Sequence, residues 1–545
     1  MLRKVAKTVP SGPAAQKSPT RQSVAISTFV VMGGSAFSTL LGFGLQIVTA
    51  HLYGTTAELD AFLNASTVPT ILFGALNVAI VSALVPTFTD YMSQGRPEDV
   101  RRLGSTTINL LFFIMTGLAG LGWLLAPIFV PIIAHGFPVQ EQQLDARMVR
   151  WLMPGIVASS ISGVCVALLN ANHRFASSAL VQAAASATTI VVAVAFHRSL
   201  GIFALVLGSV LGLFAQLIVQ IPSILRYRLY RLELDLHHKG LLRILVLLVP
   251  VLIGSGATQI NLAFDRYFAS TLSSGSTSAL NYATKLAFLP MAIIAGALGT
   301  VVFPLIAGQF SSSNHAGIRR SLSLSLRMIS FIVIPSAVGL SILAYPIVQT
   351  LFQRGAFGPA ATEQCASLIP FACVPLIAMS YNSVLGRACY ACKAGRLLLI
   401  GSAVAVILNI VLSATWLPFI GARGLLLANA AAGAFGIVFQ VALLWRLADG
   451  FEWRPILSSL ARIALASVIM ACALLPFRSI AFLATASYAS RALHLAALLL
   501  VGIIVYMIGA WLLRVKELTI TVGSVRTKFT PRTTRDTAAE LADAR

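Results

Sequence analysis

Charge is scarce in this 545-residue chain: only 10% of its residues are Asp, Glu, Lys or Arg. Together with 57% hydrophobic residues and a mean hydropathy of +0.87, that scarcity excludes an ordinary soluble globule. Catalytic signatures are missing as well. There is no Gly-x-Ser-x-Gly, no Gly-rich Lys loop to cradle a nucleotide phosphate and no His-Glu-x-x-His. No extramembrane stretch is long enough for a soluble catalytic domain. Cysteine is sparse, at six. Cys389-x-x-Cys392 lacks a second pair or a neighbouring His, so it reads as helix packing, not as a zinc or redox site. His237 and His238 form no ligand set and read as solvated loop residues.

What remains is apolar. Fourteen stretches between about Ile26 and Leu513 meet the roughly 20-residue requirement of a membrane-spanning helix. The fold class is therefore an all-α polytopic membrane protein. Residues 1–23 read as a basic, disordered cytoplasmic tail with no cleavage site of a signal peptide. Residues 24–223 form a first lobe of six spans, 224–242 a cytoplasmic amphipathic linker, and 243–447 a second lobe of six spans. Residues 448–513 hold two further spans, and 514–545 a second disordered cytoplasmic tail. The formal net charge of +22 sits in loops and tails, which points to lipid headgroups and orientation and away from nucleic acid. With the N-terminus inside, alternate loops carry sixteen Lys and Arg, among them Arg101, Arg102, Arg319 and Arg320, against seven on the opposite side. Both termini are expected in the cytoplasm.

A weak repeat relates the first half of the chain to the second. Gly54, Asp60, Asn64 and Pro69 face Gly275, Asn281, Lys285 and Pro290, and Arg101–Arg102 face Arg319–Arg320. "VPTILFGALNVAIVSALVP" then aligns with "LPMAIIAGALGTVVFP", so the second and eighth spans correspond. Six spans separate them, so both halves enter the membrane in the same direction, as parallel repeats enclosing a cleft. The loop between the lobes, "RYRLYRLELDLHHKG", reads as an interfacial helix with Leu229, Leu232, Leu234 and Leu236 towards lipid.

Charges inside spans cost roughly 2.5–3.5 kcal/mol on insertion scales. Asp60, Asp265, Arg266 and Lys285 therefore stand out. Neighbours on a helix differ by about 100°, so Asp265 and Arg266 point different ways. Asn281 lies one turn before Lys285 on the same side. Lys285, Arg266, Asp60, Asn64 and Asn281 are the candidate cavity residues. Arg327 and Arg462, near span ends, read as snorkelling to the interface. Asn409 and Ser413 share a helical face; with Asp265 and Asn429 they offer oxygens of the kind hard monovalent cations take, although polar contacts between helices would equally account for them.

The chain resembles the MurJ/MviN lipid II flippases of the multidrug/oligosaccharidyl-lipid/polysaccharide exporter superfamily. The resemblance is carried by "LLGFGLQIVTAHLYGTTAELDAFLNASTVP" (Leu40–Pro69), "LLNANHRF" (Leu168–Phe175), "QINLAFDRYFASTLSSGSTSALNYATKLAFLP" (Gln259–Pro290), "GTVVFPL" (Gly299–Leu305) and "LFQRGAF" (Leu351–Phe357). It implies two lobes around a central cavity, alternating access, and a lipid-tail groove on the last two spans, about 455–513. The implied activity is translocation of an undecaprenyl-diphosphate-linked peptidoglycan precursor across the inner membrane, by a monomer with no enzymatic step. Family arginines expected at Thr39, Leu45 and near Phe73–Gly74 are absent. The acidic position survives as Asp60, the eighth-span cation as Lys285, and Lys393 and Arg396 remain after the tenth span. These departures keep another polyprenyl-linked glycan, such as an exopolysaccharide unit, as an alternative substrate; a small-molecule antiporter is a further one. No cofactor is implied except sodium as coupling ion, by resemblance to sodium-coupled members, at Asp265, Asn409, Ser413 and Asn429.

Overall fold

The computed structural model of the chain describes residues 21–172, 174–291, 303, 305–477 and 488–519. The first twenty residues, the tail from 520 and most of the Gly299–Leu305 motif lie outside the described residues. Among the described residues there is no strand. In lipid this follows from backbone polarity, since a helix satisfies its own N–H and C=O groups where water cannot.

The first lobe comprises α1 (Arg21–Tyr53), α2 (Ala57–Ser93), α3 (Pro97–Ile133), α4 (Val139–Ala171), the short α5 (Phe175–Ala179), α6 (Val181–Leu200) and α7 (Phe203–Arg226). The second comprises α8 (Lys239–Ser270), α9 (Ser276–Ala287), α10 (His315–Ile342), α11 (Ala344–Phe352), α12 (Pro359–Ala391), α13 (Gly395–Ile420) and α14 (Ala422–Leu447). Two further helices, α15 (Trp453–Leu474) and α16 (Tyr488–Leu512), follow. Local chemistry sets several starts: Pro97 and Pro359 occupy first-turn positions where no N–H is needed, and the side chains of Thr56 and Asn314 cap α2 and α10. Among the described residues twelve helices are long and apolar enough to cross a membrane, or thirteen if the bent pair Lys239–Val249 and Gly254–Ser270 is one span. The expected eighth span, 279–309, runs through residues outside those described.

In the first lobe α2, α3 and α7 surround α4, while α1 lies on α6. In the second, α12 contacts α9, α10 and α14, and α13 lies against α8 and α14. The lobes meet mainly where α2 runs along α8. Side chains extend the repeat seen in sequence. Gln220 donates to Ser162 at 2.5 Å in the first lobe, and Gln440 donates to Asn382 at 2.9 Å in the second. The same offset separates Gln220 from Gln440 and Ser162 from Asn382. Gly201 before α7 and Gly421 before α14 also match, with φ, ψ of 55°, −131° and 58°, −139°.

Three expectations change. The linker is not an interfacial helix but an extended strap along α3. Its backbone N–H groups at Arg231 and Asp235 donate to Ser105 and Thr106 at 2.9 and 3.0 Å, and Asn109 bridges to Glu233 O and Tyr230. Leu232, Leu234 and Leu236 are exposed, with the period of two that an extended chain gives. Arg327 does not snorkel; it pairs with Glu517, which is 0% exposed. The start of the C-terminal tail is therefore docked: residues 516–519 form a helical turn, and Arg462 donates to Arg514 O at 3.0 Å. Tyr506 on α16 donates to Phe331 O on α10 at 2.8 Å, joining the last two helices to the second lobe.

Candidate functional site

The lobes are fastened together at the end of the bundle where α1 finishes and α2 begins. Asp60, one turn into α2, accepts hydrogen bonds from the backbone N–H of Gly275 (2.6 Å) and of Ser278 (2.7 Å) and from the Ser278 hydroxyl. A carboxylate so placed caps α9 and meets the positive end of its dipole. Close backbone approach makes this possible. Gly275 has φ +84°, and a Cβ there would lie 2.5 Å from Thr55 O. Around the cap, Tyr282 donates to Gly54 O at 3.3 Å, Ala356 N to His51 O at 2.9 Å, and Gly136 N to Ser270 Oγ at 3.1 Å. Tyr282, Phe352 and Phe357 form a ring cluster beside them, with centroids 5.1 to 5.7 Å apart.

Below this seal, Asn281 on α9 reaches Gln46 on α1 at 3.3 Å. A cavity of about 60 Å³ lies here, lined by Gln46, Thr49, Thr189, Ser209 and Asn281 among others. Lys285 sits one turn further along α9, about 6 Å away by helical rise. It is exposed and makes no hydrogen bond or ion pair with the described residues. Arg266 on α8 acts electrostatically on Lys285, and is itself acted on by Asp60 and Asp265; it too makes no hydrogen bond among the described residues. Among the described residues Lys285 therefore has no carboxylate partner, and Arg266, which feels Asp265 and Asp60, lies within electrostatic reach of it near the junction of the lobes. Cations placed to meet phosphate oxygens are what a diphosphate requires.

Two candidate cavity residues prove to be elsewhere. Asp60 and Asn64 are each 1% exposed and engaged within the protein. Asp60 is the cap just described, and Asn64 donates to Asp145 on α4 at 2.6 Å. Asp145, 0% exposed, carries no signal in the sequence. Its stretch, "VQEQQLDARMVR", resembles a polar loop, and only the α2 partner reveals its burial. The positions where family arginines were expected are filled differently: Thr39 bonds back to Ser35 O, Leu45 lines the small cavity, and Gly74 lies under the Gln259 amide.

The second cluster does assemble. Asp265 accepts from Asn409 (3.1 Å) and Asn429 (3.2 Å) through one oxygen and from Asn261 (3.2 Å) through the other; Asn409 also donates to Asn261 at 2.7 Å. Asn261 joins the expected set from one turn before Asp265. Asn409 Oδ1 and Ser413 Oγ are buried without a hydrogen-bond partner. An orphaned oxygen on Asn409, whose amide nitrogen bonds the Asp265 carboxylate, suits a hard monovalent cation, with Ser413 one turn further along α13. No group of three or more His, Cys, Asp or Glu able to hold a metal occurs among the described residues. Cys389 and Cys392 are buried free thiols.

A family model described as lipid II flippase MurJ matches residues 49–509. The chain is 28% identical over 514 residues to the probable lipid II flippase MurJ of Vibrio cholerae, covering 90% of this chain and 96% of that one. The corresponding protein of Rhizobium meliloti is 27% identical, with 89% and 93% covered. Among solved structures, a lipid II flippase MurJ in an inward closed conformation superposes with a TM-score of 0.73 at 23% identity, covering 88% of this chain and 98% of that one. An inward-facing multidrug MATE transporter gives 0.65 at 13% identity, over 77% of this chain and 99% of that one.

Proposed function

The chain belongs to the lipid II flippase MurJ family, and from that premise we propose how its own residues move lipid II, the undecaprenyl-diphosphate-linked precursor of the cell wall, across the bacterial inner membrane. The observation that carries the reading is the pair of cations beside the junction of the lobes and below a sealed end: Lys285, with no ion pair or hydrogen bond among the described residues, and Arg266, whose charge reaches it.

The basic loops favour a cytoplasmic linker end and cytoplasmic termini, with the Asp60 seal on the outer side. In the closed state the headgroup enters from the linker end. Lys285 and Arg266 meet the diphosphate through charge-assisted hydrogen bonds. The prenyl tail stays in lipid along α15 and α16, which Tyr506 and the Arg327–Glu517 pair hold to the second lobe. Separation of the lobes at the Asp60 seal then opens the outer side, as alternating access between parallel repeats requires. A single chain supplies both lobes, so the working unit is a monomer, and no covalent step is involved.

Asp265, Asn261, Asn409, Ser413 and Asn429 would hold sodium as coupling ion. Its bound charge would offset that of Asp265, leaving Arg266 free for substrate. Sodium-dependent transport that disappears in Asp265→Asn supports this role; transport indifferent to sodium in both proteins removes it.

The decisive experiment is rescue of cells depleted of their own lipid II flippase. The wild-type chain and Lys285→Arg should restore growth, and Lys285→Ala, present in the membrane at equal level, should not. Rescue by Lys285→Ala would refute the assignment of the residue.

A further inference from the structure

The first lobe holds a buried acid that the transport scheme leaves without a task. Asp145 on α4 is 0% exposed, and Asn64 on α2 is 1% exposed. They share one hydrogen bond, from Asn64 Nδ2 to Asp145 Oδ2, at 2.6 Å. The other oxygen of each group, Asn64 Oδ1 and Asp145 Oδ1, is buried with no donor. Two orphaned acceptors on two side chains that already touch are costly in an apolar interior. A carboxyl proton resolves both, because a carboxylic acid and an amide form a reciprocal pair in which each donates to the other's oxygen.

Charge around the pair offers no other solution. Helices α2, α3 and α7 surround α4. From α2 the titratable groups at this end are Glu58 and Asp60, both acidic. Helix α3 carries Glu98, Asp99, Arg101 and Arg102, and α7 carries Arg226, all at the opposite end; His135 follows α3 and stacks on Tyr267. Of the groups on α4 itself, Glu141 is acidic, Arg147 is exposed, and Arg150 donates to Trp123 O and covers its ring. No cation pairs with Asp145 among the described residues. The repeat marks the site as particular to this lobe: Lys285 and Cys365 stand where Asn64 and Asp145 would recur.

We propose that Asp145 and Asn64 form a proton-binding site, occupied while the outer side is sealed and able to release its proton to the outer water when the lobes separate there. Asn64 lies one turn from Asp60 on the same helix, so the site sits directly beside the seal. Once the outer end admits water, an ionised Asp145 is solvated; resealing buries it again and requires the proton. Acid on the outer side therefore favours return to the sealed state. The pH-dependent movement rests on the alternating-access reading above, whereas occupancy of the site does not.

Infrared difference spectroscopy of the purified protein in nanodiscs, without substrate, tests occupancy. The sealed wild type should show the C=O stretch of a protonated, hydrogen-bonded carboxylic acid. That band should vanish in Asp145→Asn, whose amide pairs with Asn64 without a proton, and should move to higher frequency in Asn64→Leu. A band unchanged in Asp145→Asn overturns the proposal. Spin labels across the outer end read the coupling: opening of the wild type should increase as pH rises, and Asp145→Asn should stay sealed at every pH. Identical pH dependence in the two proteins would overturn the coupling even if the band is found.

Discussion

Removing the carboxylate of Asp60 should open the outer side of this transporter. The side chain is almost fully buried and accepts two backbone hydrogen bonds and one hydroxyl hydrogen bond from the start of α9. Hydrogen bonds to a charged group contribute about 1.5–3 kcal/mol each, and a lost helix cap costs about 0.5–2 kcal/mol. Water takes over part of this role once the lobes separate, so the net bias towards the sealed state is about 3 kcal/mol. That corresponds to roughly a hundredfold change in the ratio of sealed to open molecules. Asp60→Asn keeps an acceptor for the cap and should shift the ratio much less than Asp60→Ala. Spin labels at Gln143→Cys and Ala360→Cys, exposed positions near the starts of α4 and α12, report the distance across the outer end in a Cys472→Ser background. Cys472 is the one exposed thiol among the described residues. At the same pH the Asp60→Ala protein should show a larger long-distance population than the parent. The same distance distribution in both, with both proteins folded, would refute the reading of Asp60 as the seal.

Gly275→Ala should act at the same place by steric means, since φ +84° is unfavourable for Ala and its Cβ would lie 2.5 Å from Thr55 O; the label pair should again report opening, and an unchanged distance would contradict the close approach. Breaking the buried Arg327–Glu517 pair with Glu517→Gln should cost about 3–5 kcal/mol by stranding a charge, read as a fall in Tm in detergent. Arg327→Met with Glu517→Leu should recover most of that loss, and a double variant no better than the single would show the pair is not the cause. Asn261→Ala removes two hydrogen bonds at the Asp265 cluster and should raise the sodium concentration needed for half-maximal transport, whereas an unaltered requirement would exclude Asn261 from the site.

Spans and repeat were legible because lipid imposes them. Length and apolarity identify a crossing helix without any knowledge of its neighbours, and the Gly54/Gly275 correspondence survives as a shared backbone role. The Asp265 cluster was legible through the family resemblance, since spacing alone shows only that Asn409 and Ser413 share a face. Pairings between distant helices were not. Asp60 and Asn64 lie one turn apart and read as one cavity wall, yet one turns to α9 and the other to α4. Arg327 finds its partner 190 residues away, in a stretch that looks like a disordered tail. The linker carried a usable signal, the alternation of Leu232, Leu234 and Leu236 with Glu233 and Asp235. A period of two marks an extended strap, whereas on a helix Leu234 would point away from Leu232 and Leu236.

The central claim is that Lys285 and Arg266 grip a diphosphate between the lobes, and the most direct test is the affinity of lipid II for the purified protein in nanodiscs. Loss of one charge-assisted contact is worth about 1.5–3 kcal/mol, so Lys285→Ala should weaken binding about ten- to a hundredfold, with Lys285→Arg close to the parent. Equal affinity for parent and Lys285→Ala would mean that the diphosphate is held somewhere else.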